Sequence, residues 1–290
     1  MKVAILGYGN IGAATEQAVL AAGDMQLAGV YHHNEVERLL ADARQGKVDV
    51  VVLSLPSREV PEYAQRLLEA GVSTVDSFDI HSQIVATRRQ LSAVAQKGGA
   101  VSVLSAGWDP GSDSVVRCLM EAIAPKGLTY TNFGPGRSMG HSVAAKSVKG
   151  VKDALSMTIP IGTGLHRRMV YVELEEGTDF AAVEKAILAD DYFCHDETHV
   201  ISVPCVDALN NVAHGVNLVR SGVSGTTHNQ RLEFNMMINN PALTGQVLVA
   251  AARAAVRLRA EQRSGCYTLI ELPPIYLMEG SDEDIVGRLV

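Results

Sequence analysis

Along the first hundred or so residues, short apolar runs rich in β-branched side chains alternate with stretches that repeat at helical spacing. Lys2–Leu6, Leu27–Tyr31, Val48–Leu55, Val72–Ser77 and Ala100–Ser105 read as strands. Helices are expected over 11–22, 58–70 and 82–97, with Gly23 and Gly71 as C-terminal stops. Alternation of this kind predicts an α/β fold of the Rossmann type, a parallel sheet with crossover helices. The strands are nearly continuous apolar runs, as in Val50-Val51-Val52-Leu53, so both faces of the sheet should be covered.

After Asp109-Pro110-Gly111 the rhythm changes. Strand-like Leu128–Phe133, Met169–Leu174, His199–Val206, Gly215–Val219 and Gln230–Ile238 outnumber helical patterns at 112–124, 179–189 and 242–260, as in an α+β domain. A last strand candidate, Tyr267–Leu272, follows the longest helix, which would carry the chain back to the first domain. The expected division is a dinucleotide-binding domain of 1–118, rejoined by about 245–290, and a substrate-binding and dimerisation domain of 119–244. A length of 290 residues, 47% of them apolar, suits two domains with real cores and excludes a disordered or disulfide-stapled chain. No run approaches a bilayer span, and Val3-Ala4-Ile5-Leu6 is too short for a secretory leader. The four cysteines form no Cys-x-x-Cys pair and read as free, mostly buried thiols, so the expectation is a soluble, cytoplasmic protein.

A net charge of −7 argues against a nucleic-acid partner and for small-molecule chemistry. Residues 129–168 carry a net +5 and residues 169–199 a net −8. The acidic stretch reads as a solvated face, and the basic, glycine-punctuated one as a lining for an anionic substrate.

The strongest local signal is Gly7-Tyr8-Gly9-Asn10-Ile11-Gly12, which follows the first strand and opens a helix. Gly7 permits the tight turn, Gly9 lets a pyrophosphate approach the backbone, and Gly12 allows close helix–strand packing, with free helix N–H groups facing the phosphates. The second strand ends in Tyr31-His32-His33-Asn34, without the acid that binds an NAD ribose, so NADP is favoured and NAD is the alternative cofactor. Ligands of such sheets gather at strand C-terminal ends, here Ser54, Pro56, Ser77, Phe78, Asp79, Trp108 and Asp109. Asp79 and Asp109 could hold a substrate ammonium and accept its proton, which suits oxidation at an amine-bearing carbon, or could be turn residues. The loop from Asn132 to Ser142 could grip a carboxylate with its backbone N–H groups. His195 and His199 lie four apart, but the His-Glu-x-x-His order is absent and no metal is expected.

Ser105-Ala106-Gly107-Trp108-Asp109-Pro110-Gly111, with Asn132-Phe133-Gly134-Pro135-Gly136 and Gly140-His141-Ser142, resembles the meso-diaminopimelate dehydrogenase family. The resemblance runs the length of the chain, through Val75-Asp76-Ser77-Phe78-Asp79, His166-Arg167-Arg168, His214-Gly215 and Asn239-Asn240-Pro241. It implies a homodimer that uses NADP to deaminate the D-centre of meso-2,6-diaminopimelate reversibly, giving L-2-amino-6-oxopimelate and ammonia. It further implies that Asp79 and Asp109 hold the reacting amine, with Trp108 and Phe133 beside it. Met139 and Gly140 would line the middle, and Thr158, Arg168, His214 and Asn240 the distal L-centre. The family's arginine pair after the second strand is replaced here by His32-His33. Competing expectations are a nicotinamide oxidoreductase of the dihydrodipicolinate reductase or homoserine dehydrogenase type, and a dinucleotide sensor without turnover.

Overall fold

The computed structural model describes residues 1–209 and 213–290, and for Met139 the backbone alone. In chain order the first elements are β1 (Lys2–Leu6), α1 (Asn10–Ala21), β2 (Gln26–Tyr31), α2 (Val36–Arg44), β3 (Val50–Leu53), α3 (Val60–Glu69), β4 (Ser73–Asp76), α4 (Ile84–Gly98) and β5 (Val101–Val103). Then come α5 (Ser112–Ile123), β6 (Lys126–Phe133), β7 (Gly136–Arg137), α6 (Met139–Lys146), β8 (Val151–Gly162), β9 (Leu165–Leu174), α7 (Phe180–Ala189) and β10 (Glu197–Ser202). The chain closes with β11 (Ala213–Ser224), β12 (Thr227–Asn239), α8 (Asn240–Ala260), β13 (Gly265–Tyr267) and α9 (Asp282–Leu289).

Two compact units result, Met1–Cys118 with Pro241–Val290, and Leu119–Asn240. The first is a six-stranded sheet of order β13-β5-β4-β3-β1-β2, parallel throughout. Successive residues of a strand face opposite sides, and both sides are apolar here. Val3, Val50, Val52, Val101 and Val103 pack against Val19 of α1 and Leu248, Val249 and Ala252 of α8. Ala4, Leu6, Val51 and Leu53 pack against Leu39 of α2, Leu67 of α3 and Leu91 of α4. The buried Arg253 of α8 is bound bidentately by Asp24, at 2.6 and 2.8 Å, and holds the Asp24 carboxyl below the usual carboxylate range.

The second unit holds two sheets, β10-β9-β8-β7 and β12-β11-β6. Val170 and Val172 of β9 form a core with Ala145 of α6 and Val183 and Ile187 of α7. In the three-stranded sheet the buried Arg220 donates to the carbonyls of Ala124 and Pro125 and to the Thr129 hydroxyl.

Several expectations change. Helix α2 was not foreseen, although Val36, Leu39 and Leu40 mark its buried face at helical spacing. Strand β8 was also missed, because it lies inside its sheet and buries Ser156 and Thr158, polar side chains that read as loop. Gly23 is no left-handed stop: α1 ends at Ala21, and a Cβ on Gly23 would lie 2.6 Å from the Glu279 carboxylate, so this glycine serves close packing. The last strand is Gly265–Tyr267, and Leu269–Glu271 form a 3₁₀ turn instead. Cys118, Cys194 and Cys205 are exposed and only Cys266 is buried, because the first three fall in half-polar stretches outside the cores. No helix among the described residues is long and apolar enough to cross a membrane.

Candidate active site

Gly7 has φ +97°, and a Cβ there would lie 2.4 Å from the Ser54 carbonyl oxygen. Gly12 packs as closely on Gly7 O, so any side chain at either position would push β1, α1 and the β3 end apart. At Gly9 a Cβ would meet nothing within 4 Å. Gly9 is the N-cap of α1, with no side-chain cap, and Asn10 and Ile11 open the helix, so the first N–H groups point to an open approach. Beside this turn the Ser54 hydroxyl is buried without a hydrogen-bond partner among the described residues. A cradle open only at Gly9, backed by amide donors and an unsatisfied hydroxyl, fits a dinucleotide pyrophosphate.

After β2, His32 caps a 3₁₀ turn that contains His33. Its N–H donates to the Glu35 carboxylate at 2.9 Å, and Arg38 pairs with the same carboxylate at 2.8 Å while lying 5.4 Å from the Tyr31 ring centroid. The His32 N–H and Arg38 keep Glu35 below its ordinary pKa. An acid therefore does stand in the turn after β2, but it is engaged by the His32 N–H and by Arg38.

The β4 and β5 turns are tied together by a carboxyl that sequence reasoning passed over. Asp76, fully buried, accepts the N–H groups of Phe78 at 3.0 Å and Ser105 at 3.1 Å through one oxygen, Oδ1, and its Oδ2 has no partner among the described residues. Its carbonyl accepts the Ala106 N–H at 2.7 Å. Burial pushes its carboxyl up to about 6. The turn carrying Ser77 and Asp79 is thereby held against the turn leading to Trp108 and Asp109. Phe78 sends its side chain into the core, which leaves only its backbone for a ligand. Pro56 is exposed in the turn after β3, next to Ser57, whose hydroxyl donates to Asp79 at 2.6 Å.

Asp79 is exposed, whereas Asp109 is 11% exposed and lies 3.2 Å from Arg117. Arg117 also pairs at 2.9 Å with Asp113, whose side chain is fully buried. Burial first and the Asp109 carboxylate second push Asp113 up to about 8. The Asp109, Asp113, Arg117 spacing of four was the sequence signal for this triad. Trp108 is nearly buried beside it.

In the second unit, Arg168 donates through Nη1 to the Thr158 hydroxyl and through Nε to Asp196 Oδ2 at 2.6 Å. Thr158 faces Gly136 across the β7–β8 ladder, and a Cβ on Gly136 would lie 2.8 Å from the His214 ring. The Phe133 N–H donates to His166 Nε2 at 2.9 Å, and the two rings stack at 5.7 Å. His141 lies against Tyr192 and Phe193, and burial, then Arg168, press its ring down to about 4. The same two causes lower His166. Phe133, Thr158, Arg168 and His214 thus come together, joined by His141, His166 and Asp196 from outside the expected set. Met139 and Gly140 begin α6, with Gly140 close to Tyr192, and Asn240 begins α8.

Residues 107–166 match the model of the diaminopimelic acid dehydrogenase C-terminal domain. The chain is 56% identical to a meso-diaminopimelate D-dehydrogenase of Bacteroides fragilis, covering 100% of this chain and 99% of that protein. It is similar to the solved Corynebacterium glutamicum diaminopimelate dehydrogenase in complex with diaminopimelate, with a TM-score of 0.89 and 28% identity over 100% and 99% of the two chains. It is also similar to an engineered D-amino acid dehydrogenase bound to NADP+, with a TM-score of 0.84 and 27% identity over 100% and 99%. With that identity over its full length, on a Rossmann-type sheet that presents a glycine cradle, the chain belongs to the meso-diaminopimelate D-dehydrogenase family and is an amino acid dehydrogenase acting on a small molecule with a nicotinamide cofactor.

Proposed function

We propose that this enzyme uses NADP to deaminate the D-centre of meso-2,6-diaminopimelate, giving L-2-amino-6-oxopimelate and ammonia, and runs in reverse as a reductive amination. The observation that carries this reading is the pairing of opposite chemistries in the two units. Asp79 and Asp109 follow the neighbouring strands β4 and β5 of the sheet that carries the glycine turn, and the Arg168–Thr158 pair offers an anion site elsewhere in the chain. Each is the chemistry that one group of such a substrate calls for, an ammonium to be oxidised or a remote carboxylate.

Held by its pyrophosphate in the Gly7–Gly12 turn, a dinucleotide would supply a nicotinamide as hydride acceptor. Asp79 and Asp109 hold the ammonium at the reacting carbon, and Asp79, the more open, passes its proton to water. Loss of hydride turns the amine carbon into an imine, which water hydrolyses to the carbonyl and ammonia, so the chain mainly orients and balances charge. Trp108 and Phe133 flank that carbon, Met139 and Gly140 line the middle, and Arg168, Thr158, His214 and Asn240 receive the distal end. Arg168 takes the carboxylate through two guanidinium nitrogens, a geometry a lysine could not supply.

NADP is favoured because His32, His33 and Arg38 outnumber the one engaged acid, Glu35, at the ribose end. A homodimer is favoured because β12 is a 13-residue edge strand, a form that invites pairing unless covered, and the exposed Met237 lies on it. Nicotinamide reduction measured with meso-, LL- and DD-diaminopimelate, each with NADP and NAD, tests the assignment. Activity confined to the meso form with NADP is expected, and equal rates on the LL form would overturn the D-centre assignment.

A further inference from the structure

The distal anion site contains a charge that a carboxylate alone would not call for. Asp196 stands against Arg168 with its Oδ2 on Nε, in a setting where Arg168 is 13% and Asp196 26% exposed. Oδ2 is thereby engaged, whereas Oδ1 has no side-chain or backbone donor among the described residues. On the other edge of the guanidinium, Nη1 meets Thr158, and Nη2 has no partner among the described residues. The pair therefore presents a positive and a negative group side by side, with Nη2 and the second Nη1 N–H of Arg168 open next to Oδ1 of Asp196. Among the described residues around Asp196, the two nearby rings, His141 and His166, are both held toward the neutral form.

Resting on the proposed function, we propose that Asp196 is a specificity-determining residue that binds the distal ammonium of the substrate through Oδ1 while Arg168 and Thr158 bind the distal carboxylate. An amino acid centre carries its ammonium and carboxylate on one carbon, so its two charges are spaced to meet an adjacent acid and base at once. A hydrogen bond between two charged groups is stronger than a neutral one, and a partly buried carboxylate left without its cation is penalised. Asp196 would accordingly select for a substrate with an amine at the far end and against chains that carry only the carboxylate. The alternative is that Asp196 merely steadies Arg168.

The two roles separate with a substrate pair. D-2-aminopimelate keeps the reacting amine and both carboxylates of meso-diaminopimelate and lacks only the distal amine. Asp196→Asn should lower kcat/KM for meso-diaminopimelate about tenfold or more, chiefly through KM, and leave D-2-aminopimelate within about twofold. The second substrate also shows that the variant is folded. Equal losses on both substrates would mean that Asp196 acts only through Arg168, and no loss on either would remove it from recognition; both results overturn the inference. Arg168→Met should depress both substrates alike. If it spares both, or if the unsubstituted enzyme turns over neither, the proposed function itself fails and the role of Asp196 falls with it.

Discussion

Asp76 is a buried acid without a countercharge among the described residues, and its removal makes a quantitative prediction. Its carboxyl stands at about 6 in the fold against 3.8 for the free group, because burial outweighs the two N–H groups it accepts. A shift of about two units corresponds to roughly 3 kcal/mol between the protonation states. The folded chain binds this proton more tightly than the unfolded one. The stabilisation is therefore fully present below pH 3.8 and is lost as pH rises through about 6. Asp76→Asn keeps an oxygen for the Phe78 and Ser105 N–H groups and cannot ionise. Relative to the unsubstituted protein, the variant should gain about 2–3 kcal/mol of stability between about pH 4 and about pH 7.5. Urea titrations followed by the fluorescence of Trp108, the single tryptophan, read the unit in which Asp76 lies. A stability difference that stays constant with pH, or that moves the other way, would refute the protonated, buried carboxyl. Asp76→Leu, which frees both N–H groups, should cut kcat far more than Asp76→Asn does, because the turns bearing Asp79 and Asp109 are then no longer tied.

Gly9→Val should fold with an unchanged Tm, since a Cβ there meets nothing within 4 Å, yet raise the cofactor KM about tenfold or more by filling the pyrophosphate approach; a normal cofactor KM would count against the cradle. Arg38→Met should weaken NADP by about tenfold and leave NAD unchanged, as loss of one charged contact to a 2′-phosphate predicts; titration of both cofactors by fluorescence quenching decides it, and parallel losses would place Arg38 outside the phosphate site. Met237→Glu puts a charge on the exposed edge strand and should shift sedimentation from dimer to monomer, whereas an unchanged dimer would locate the interface elsewhere.

The parallel sheet and the glycine turn were legible because local pattern decides them: Val50–Leu53 is apolar on both faces, and Gly7-x-Gly-x-x-Gly follows a strand directly. Pattern failed where burial recruits polar residues. Ser156 and Thr158 are interior in β8, and Asp76 reads as one more acid at a strand end until its oxygen is seen to accept N–H groups from two turns. Phe78 failed in the opposite sense, since strand-end position does not say which way an aromatic ring points, and this one enters the core.

The charge segregation along the second unit shows the same limit and explains it. The acidic stretch 169–199 was read as a solvated face, independent of the basic stretch before it. In the fold they are neighbours: β9 and β10 run parallel with Arg167 opposite Glu197 and Arg168 opposite Thr198. The register brings Glu197 onto Arg167 at 2.8 Å and Asp196 onto Arg168 at 2.6 Å, while Glu173 meets Lys152 across β8 and β9. Each of the other two pairs has at least one exposed partner and contributes little. Arg168–Asp196 differs in being mostly withdrawn from water, with one edge of each partner unfilled. A run of one sign can thus supply counterparts to a run of the other at a few registered positions. The pair left incomplete is the one for which we propose a substrate role, and strand register, which no local pattern in the sequence specifies, is what brings its partners together.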